Sequence, residues 1–416
     1  MIEAGAAIID ITPTCGLPMS GFAARNQPAE GAHDALTARA VVIGDTAVVV
    51  ADVIGIDAAI SARIRERCVL ECDNIVVAAL HTHGGPASMT GSLGVATDTA
   101  YLERLEDACI AAIDAAAAAR RPATITFGLG NDPGIARNRR RPGGPVDASL
   151  TLLRICGTDG AMIALVTAYA CHPVVLGADN CLWTADYPHF VRQALEETHP
   201  GAVALFMTGC AGDANTGHSA HASITLSANP ERSYATAERI GLKIAEAALS
   251  APQTPMSPHA VARNDHVVLE FQRRETEAPD VLETSWRQEA VTADPARKSL
   301  LGSWAAWARS VAPTVPSPLS ARVTVLDWGG LLLVALPGEI FAETALSIRT
   351  AIGPGKPAFV IGFADDNPGY IPPAGEFEFG GYEVDEAHRY YGLPMTFAPG
   401  SAEALAACAI SLSPGR

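Results

Sequence analysis

Short apolar runs rich in Val and Ile alternate along this chain with segments of helical period, and that alternation limits the fold more than any other feature. Strands are predicted at 36–43, 47–51, 75–80, 123–127, 162–168 and 202–207, and helices at 56–67, 101–119, 187–197 and 235–249. In the second helix Leu102, Leu105, Cys109 and Ile113 recur at steps of three and four, which puts them on one face. A Pro-rich stretch, APQTPMSP, breaks the rhythm at 251–258. It is followed by a predicted strand at 266–271 and a Trp-containing helical segment at 278–310. A second linker, APTVPSP, ends at Pro318, and strands at 322–327 and 331–335 come next. Consecutive strands mixed with strand-helix units point to an α/β fold, a mixed β-sheet core flanked by helices. We expect one catalytic unit, 1–416, with 251–318 as an insertion or subdomain.

Charge narrows the partners. The chain holds 45 acidic and 29 basic side chains, for a formal net charge of −16. Such a surface repels phosphate backbones and anionic bilayers, so neither nucleic acid nor stable membrane association is expected. The one dense basic run, Arg137 with Arg139, Arg140 and Arg141, is too short to reverse this, and its plainest reading is a solvated loop. The opening MIEAGAAIIDITP has no basic n-region, and no window reaches the roughly 18 apolar residues of a membrane span. The nine cysteines are odd in number and show no CxxC spacing, which fits reduced thiols in the cytoplasm and argues against a thiolate zinc site. The expected partner is a small-molecule substrate; a homo-oligomer would be ordinary for such an enzyme.

Chemistry gathers at strand ends. In VVAALHTHGGP a strand runs into His81 and His83, and residues two apart on a strand share a face. Gly84, Gly85 and Pro86 then turn the chain away, leaving two imidazoles where ligands collect in α/β proteins. Neutral imidazoles suit zinc; a pair of hydrogen-bonded loop histidines is the plainer alternative. YACHPVV repeats the layout with His172. In LLLVALPGEIF, Glu339 sits where a helix is expected to start, a place where a carboxylate is also favourable without any function. FADDNPGYIPP leads to Tyr370, which spacing alone reads as packing. Two His and a carboxylate match a catalytic zinc set with room for water. GCAGDANTG lacks the P-loop Lys and the dinucleotide spacing, so it reads as a backbone turn near the site. No GxSxG elbow supports a serine hydrolase.

These motifs also occur in a familiar order. AAIIDITP, PMSGFAARNQPAEGAHDALTARAVV, HTHGGP, NRRRPGGPVDASLTLLRI, CHP, TADYP, GCAGDAN, LPGEIF and NPGYIPPAGEFEFGGYE together resemble the N-terminal catalytic domain of neutral, non-lysosomal ceramidases over nearly the whole chain. The resemblance implies a zinc site at His81, His172, Glu339 and Tyr370, with His83 beside the metal. It implies that Arg139 and Tyr382 hold the substrate carbonyl and the developing oxyanion, Arg139 being taken from its neighbours because Asn138-Arg139 matches the motif. The implied activity is zinc-dependent hydrolysis of an amide (N-acyl) bond. Ceramidases of this type carry an export signal and a further immunoglobulin-like domain, neither of which is legible here. A small soluble N-acyl compound is therefore expected rather than ceramide. An esterase or lactonase on the same zinc, and a noncatalytic binding protein that kept the fold, are the alternatives. Loops at 88–99 and 217–233 and the segment 286–307 are expected to shape the pocket.

Overall fold

The computed structural model describes residues 1–93, 95–219, 229–311, 316–353 and 356–414. Apolar segments make the larger sheet, the Val-rich ones at 46–51 and 75–79 being buried on both faces. Its main strands are β1 (Ile2–Asp10), β2 (Thr37–Ile43), β3 (Thr46–Ala51), β4 (Ile75–Ala79), β5 (Arg121–Gly130), β6 (Leu150–Gly157), β7 (Met162–Tyr169) and β8 (Val203–Thr208). They lie in the order β8-β7-β6-β5-β1-β2-β3-β4, and Thr254–Pro255 adds a ninth, short strand against β5. Only β7–β8 and β3–β4 pair in parallel. Side chains alternate across the pleat, so Val48 and Val50 enter one hydrophobic cluster and Ala47, Val49 and Ala51 another. Helices α1 (Ala58–Arg67) and α2 (Thr99–Ala118) cover the second cluster, while α3 (Tyr187–Thr198) and α4 (Tyr234–Leu249) contribute to the first.

The smaller sheet runs β9 (Val261–Leu269), β10 (Leu319–Trp328), β11 (Leu331–Ala335), β12 (Ala358–Ile361), with only β11–β12 parallel. Between β9 and β10 lie α5 (Pro279–Glu289) and α6 (Pro295–Ser310), packed around Trp286, Trp304 and Trp307. Helices α7 (Ala342–Ile352) and α8 (Ser401–Leu412) back the smaller sheet in a cluster of their own.

How the two sheets meet decides where the site lies. The edge strands β4 and β8 come together at their C-terminal ends, where Thr208 Oγ1 donates to the carbonyl of Leu80 at 2.6 Å. The chain leaving β12 seals this seam. Gly362 N donates to Thr208 O at 3.3 Å, Ala79 N to Phe363 O at 3.0 Å and Asp365 N to Val77 O at 2.6 Å. Three strand ends thus converge on one mouth.

Most predicted elements are present within a residue or two. The helical segment expected at 278–310 is two helices: Pro295 opens α6 at its first position, and Asp294 Oδ1 caps it by accepting from Arg297 N at 3.1 Å. The strand predicted at 266–271 begins earlier, at Val261, and ends at Leu269: backbone pairing with β10 carries it through the four consecutive polar residues 263–266, which show no apolar period. Residues 312–315 of the second linker, and 94 and 220–228 in the loops expected to shape the pocket, lie outside the described residues. Among the described residues no helix is long and apolar enough to cross a membrane.

Candidate metal centre

His81 follows directly on β4 and Leu80, with φ at 67° in the left-handed region that a non-glycine residue seldom adopts. Its ring stacks on Phe363 at 4.0 Å between centroids, and Phe363 is itself held at φ 58°. Two such residues in contact mark a place where the surrounding packing enforces local strain. His172 stands three residues past β7, its N–H bonded to Ala214 O at 2.9 Å.

Glu339 is delivered differently from the sequence expectation. It does not open a helix: Glu339–Ile340 form a short strand parallel to Tyr370–Ile371, and α7 begins only at Ala342. The Glu339 N–H is taken by Gly369 O at 2.9 Å, which commits this backbone to strand pairing. Glu339 and Tyr370 face each other as Cα partners in that ladder. Neighbours on parallel strands project to the same side, so the pairing brings together two residues far apart in sequence.

The GCAGDAN turn ties these pieces to one another. Ala211 O faces His172 Nδ1 at 2.6 Å, and Gly212 N donates to Ile340 O at 2.8 Å. A Cβ on Gly212 would lie 2.5 Å from the Glu339 carbonyl oxygen, so only glycine fits this approach. Asp213 accepts from Ala342 N at the start of α7 (2.8 Å) and from Asn138 Nδ2 (2.9 Å), while its own carbonyl receives Arg139 N at 2.8 Å.

The donor atoms then converge. His81 Nδ1 lies 2.6 Å from Ile54 O, and His172 Nδ1 2.6 Å from Ala211 O. A carbonyl only accepts, so both Nδ1 atoms carry the proton and both Nε2 atoms of the neutral rings present lone pairs. Those Nε2 atoms are 3.0 Å apart, and Glu339 Oε2 lies 3.0 Å from His172 Nε2 and 3.4 Å from His81 Nε2. All three residues are at most 1% exposed. Burial, and next the nearby Arg139 charge, hold the His172 imidazole down to about 4. Burial pushes the Glu339 carboxyl up, but the facing imidazoles outweigh it and keep the group well below the usual carboxylate range. Neutral rings and an ionised carboxylate are the forms in which three lone pairs crowd one point. Without a cation between them they repel. Two imidazoles and a carboxylate are donors that fit zinc.

The surroundings hold this cluster rigidly. Tyr391 donates its hydroxyl to Glu339 Oε1. His83 also lies close: ring atoms of His81, His83 and His172 that could bind a metal are all within 4.8 Å of one another. Both ring nitrogens of His83 are buried without a hydrogen-bond partner among the described residues, and burial, reinforced by His81 and His172, keeps the ring neutral.

The arginine run is not a solvated loop. The side chains of Arg139 and Arg140 are each 6% exposed and share Glu383: Arg139 Nε reaches Oε1 at 2.9 Å, and Arg140 Nη1 reaches Oε2 at 2.7 Å. Arg140 and Arg141 also pair with Glu376, both at 2.8 Å. Arg139 alone of the run reaches Tyr370, donating from Nη2 to the phenol oxygen at 2.7 Å. Burial opposes its charge, but Tyr370 and Glu383 more than restore it. Tyr382 packs edge-on to Tyr370 at 5.7 Å, and its hydroxyl has no protein hydrogen bond among the described residues. The structure thus gathers His81, His83, His172 and Glu339 in one cluster, with Arg139, Tyr370 and Tyr382 linked beside it. Sequence reasoning missed Tyr391, Glu383 and Phe363, for which no local pattern stands out.

Residues 2–218 match the family described as neutral/alkaline non-lysosomal ceramidase, N-terminal, and the chain belongs to that family of amide-bond hydrolases. The fold agrees throughout. The crystal structure of neutral ceramidase from Pseudomonas aeruginosa is similar at a TM-score of 0.77 and 18% identity, over 99% of this chain and 74% of that one. A ceramidase complexed with C2 is similar at a TM-score of 0.75 and 18% identity, with the same coverage.

Proposed function

We propose that this chain is a zinc-dependent hydrolase that cleaves the amide (N-acyl) bond of a small substrate, and that it works in the cytoplasm, where its nine free thiols would stay reduced. One observation carries the reading: two Nε2 atoms and a carboxylate oxygen meet at 3.0–3.4 Å, each ring fixed from behind by a backbone carbonyl. His81, His172, Glu339 and Tyr370 are the residues that would hold the ion. Zinc there would supply Lewis acidity and a water whose pKa is brought to about 7.

The remaining steps fall to side chains of this chain. Arg139, locked by Glu383 and Tyr370, gives a fixed positive charge near the developing oxyanion rather than a free clamp for a carboxylate. Burial pushes the Tyr382 phenol well above its ordinary value, so it stays a donor to the carbonyl oxygen. His83, neutral and with no protein hydrogen bond among the described residues, can take the proton released by the attacking water and pass it to the leaving nitrogen. The test is hydrolysis of matched N-acyl amides, esters and lactones by the zinc-loaded protein. Turnover of amides that disappears in Glu339→Gln supports the reading. Ester or lactone turnover with inert amides would replace it, and no turnover of any class would overturn it.

A further inference from the structure

A second buried arginine touches this site, and it is not ion-paired. Arg25 is 8% exposed. Its Nη1 donates to the carbonyls of Ser20 (3.0 Å) and His83 (2.8 Å), and its Nη2 to that of Gly177 (3.2 Å). Among the described residues no carboxylate pairs with it, and its Nε has no hydrogen-bond partner. A guanidinium has five N–H donors, so the Nε–H and one Nη2–H are left unused. The Nε atom is itself buried, which leaves the spare Nη2–H as the donor for an arriving carboxylate. Burial lowers the Arg25 pKa to about 10, and the charges that raise it, Asp179 among them, do not offset that burial.

Arg25 lines an open cleft of about 450 Å³ whose walls are Phe22, Leu93, Val95, Ala306 and Trp307, with Arg389 also at its edge. Phe22 connects the cleft to the metal centre, its ring 4.9 Å from that of His83. Tyr390, also on the cleft, packs on Tyr382 at 5.9 Å. None of the described lining residues is acidic. In a chain with 45 acidic side chains and a net charge of −16, a cleft with Arg25, apolar walls and no acid among its described lining residues is set up for an anion with an apolar body, the Arg389 charge being already answered by Glu275.

We propose that Arg25 is a specificity-determining residue and that the cleft takes amides bearing a carboxylate, of the N-acyl amino acid class, with the carboxylate against the Arg25 guanidinium and the apolar part against Phe22, Leu93 and Trp307. This rests on the amide-hydrolase reading above for the scissile bond, but the recognition itself does not require turnover. Ceramide-like neutral amides lack the group that Arg25 would bind.

The test is calorimetric binding of octanoate and octanol, an anionic and a neutral probe without a scissile bond, to the zinc-loaded protein. Octanoate is expected to bind at least about tenfold tighter. Arg25→Gln should remove that preference and leave octanol unchanged, while His172→Ala should keep it. Ala306→Glu, on the exposed side of α6, puts a carboxylate into the cleft without touching the Arg25 bonds; it should weaken octanoate about tenfold and spare octanol. A preference that survives Arg25→Gln but is lost in His172→Ala would put the carboxylate on the metal centre and overturn the proposal while leaving the hydrolase reading intact. Equal binding of the two probes to the wild-type protein would also overturn it. A preference that depends on Arg25 in a protein without amidase activity would keep the cleft assignment and remove only the hydrolase reading.

Discussion

Arg139 and Arg25 are both buried beside the histidine cluster, yet one is surrounded by carboxylate and phenol and the other only by carbonyls. Arg139 shares Glu383 with Arg140 and holds Tyr370. Arg25 spends three N–H groups on the backbone and has no carboxylate within ion-pair distance among the described residues, Asp179 acting on it only from farther off. A guanidinium whose charge is answered inside the protein is part of the fixed apparatus. One whose charge is left unanswered costs stability in the free protein and is repaired only when an anion arrives. The difference separates groups that act on the carbonyl of any substrate from a group that selects which substrate enters.

The largest expected effect tests that separation. Arg139→Met should lower kcat by about 10² to 10³ with KM for a neutral amide nearly unchanged, measured by steady-state kinetics. A rise in KM alone would make Arg139 a binding group and erase the contrast. Stability is the next arm. Glu383→Gln leaves Arg139 and Arg140 with a neutral partner, so it should cost about 3 to 5 kcal/mol by denaturant unfolding. Arg25→Gln breaks hydrogen bonds to carbonyls but no ion pair, and should cost roughly 1 to 3 kcal/mol. Equal losses would mean that Arg25 has an ionic partner after all.

The smallest effect concerns pH and the far wall of the cleft. Glu275 holds His388 at 2.9 Å and Arg389 at 3.2 Å. Burial raises the Glu275 carboxyl, but the bond and charge of His388 dominate and bring it down to about 2. A depressed carboxyl stabilises fully above its unfolded value of about 4.5 and loses that contribution as pH falls toward about 2. Glu275→Gln should therefore flatten the fall in Tm across that window by a few degrees, measured by thermal scans. An unchanged slope would mean that the pairing contributes nothing to folding.

Much of this was legible in the sequence, and the reasons for the remainder are physical. His81 and His172 follow apolar strands whose pattern and Gly or Pro stops are local signals. Tyr370 could not be found that way, because its place depends on a parallel pairing with Glu339 thirty-one positions back, and ladder partners of that kind leave no local period. The same distance hid the true setting of Glu339, read as a helix start when its N–H belongs to a strand pair. Arg139 stood out only through the family motif, since a run of arginines looks like a solvated loop until Glu383 and Glu376 are brought against it. Arg25 lay in a polar loop between PMSGFAA and NQPAEG with nothing to mark it. Its burial arises only when the Phe22 segment folds over His83.

The central claim is that His81, His172 and Glu339 converge because they hold zinc. Elemental analysis of the purified protein by mass spectrometry, wild type against His172→Ala, tests it most directly. The account predicts about one zinc per chain in the wild type and none in a folded His172→Ala. A wild-type protein that carries no zinc, and takes up none when zinc is added, would contradict it.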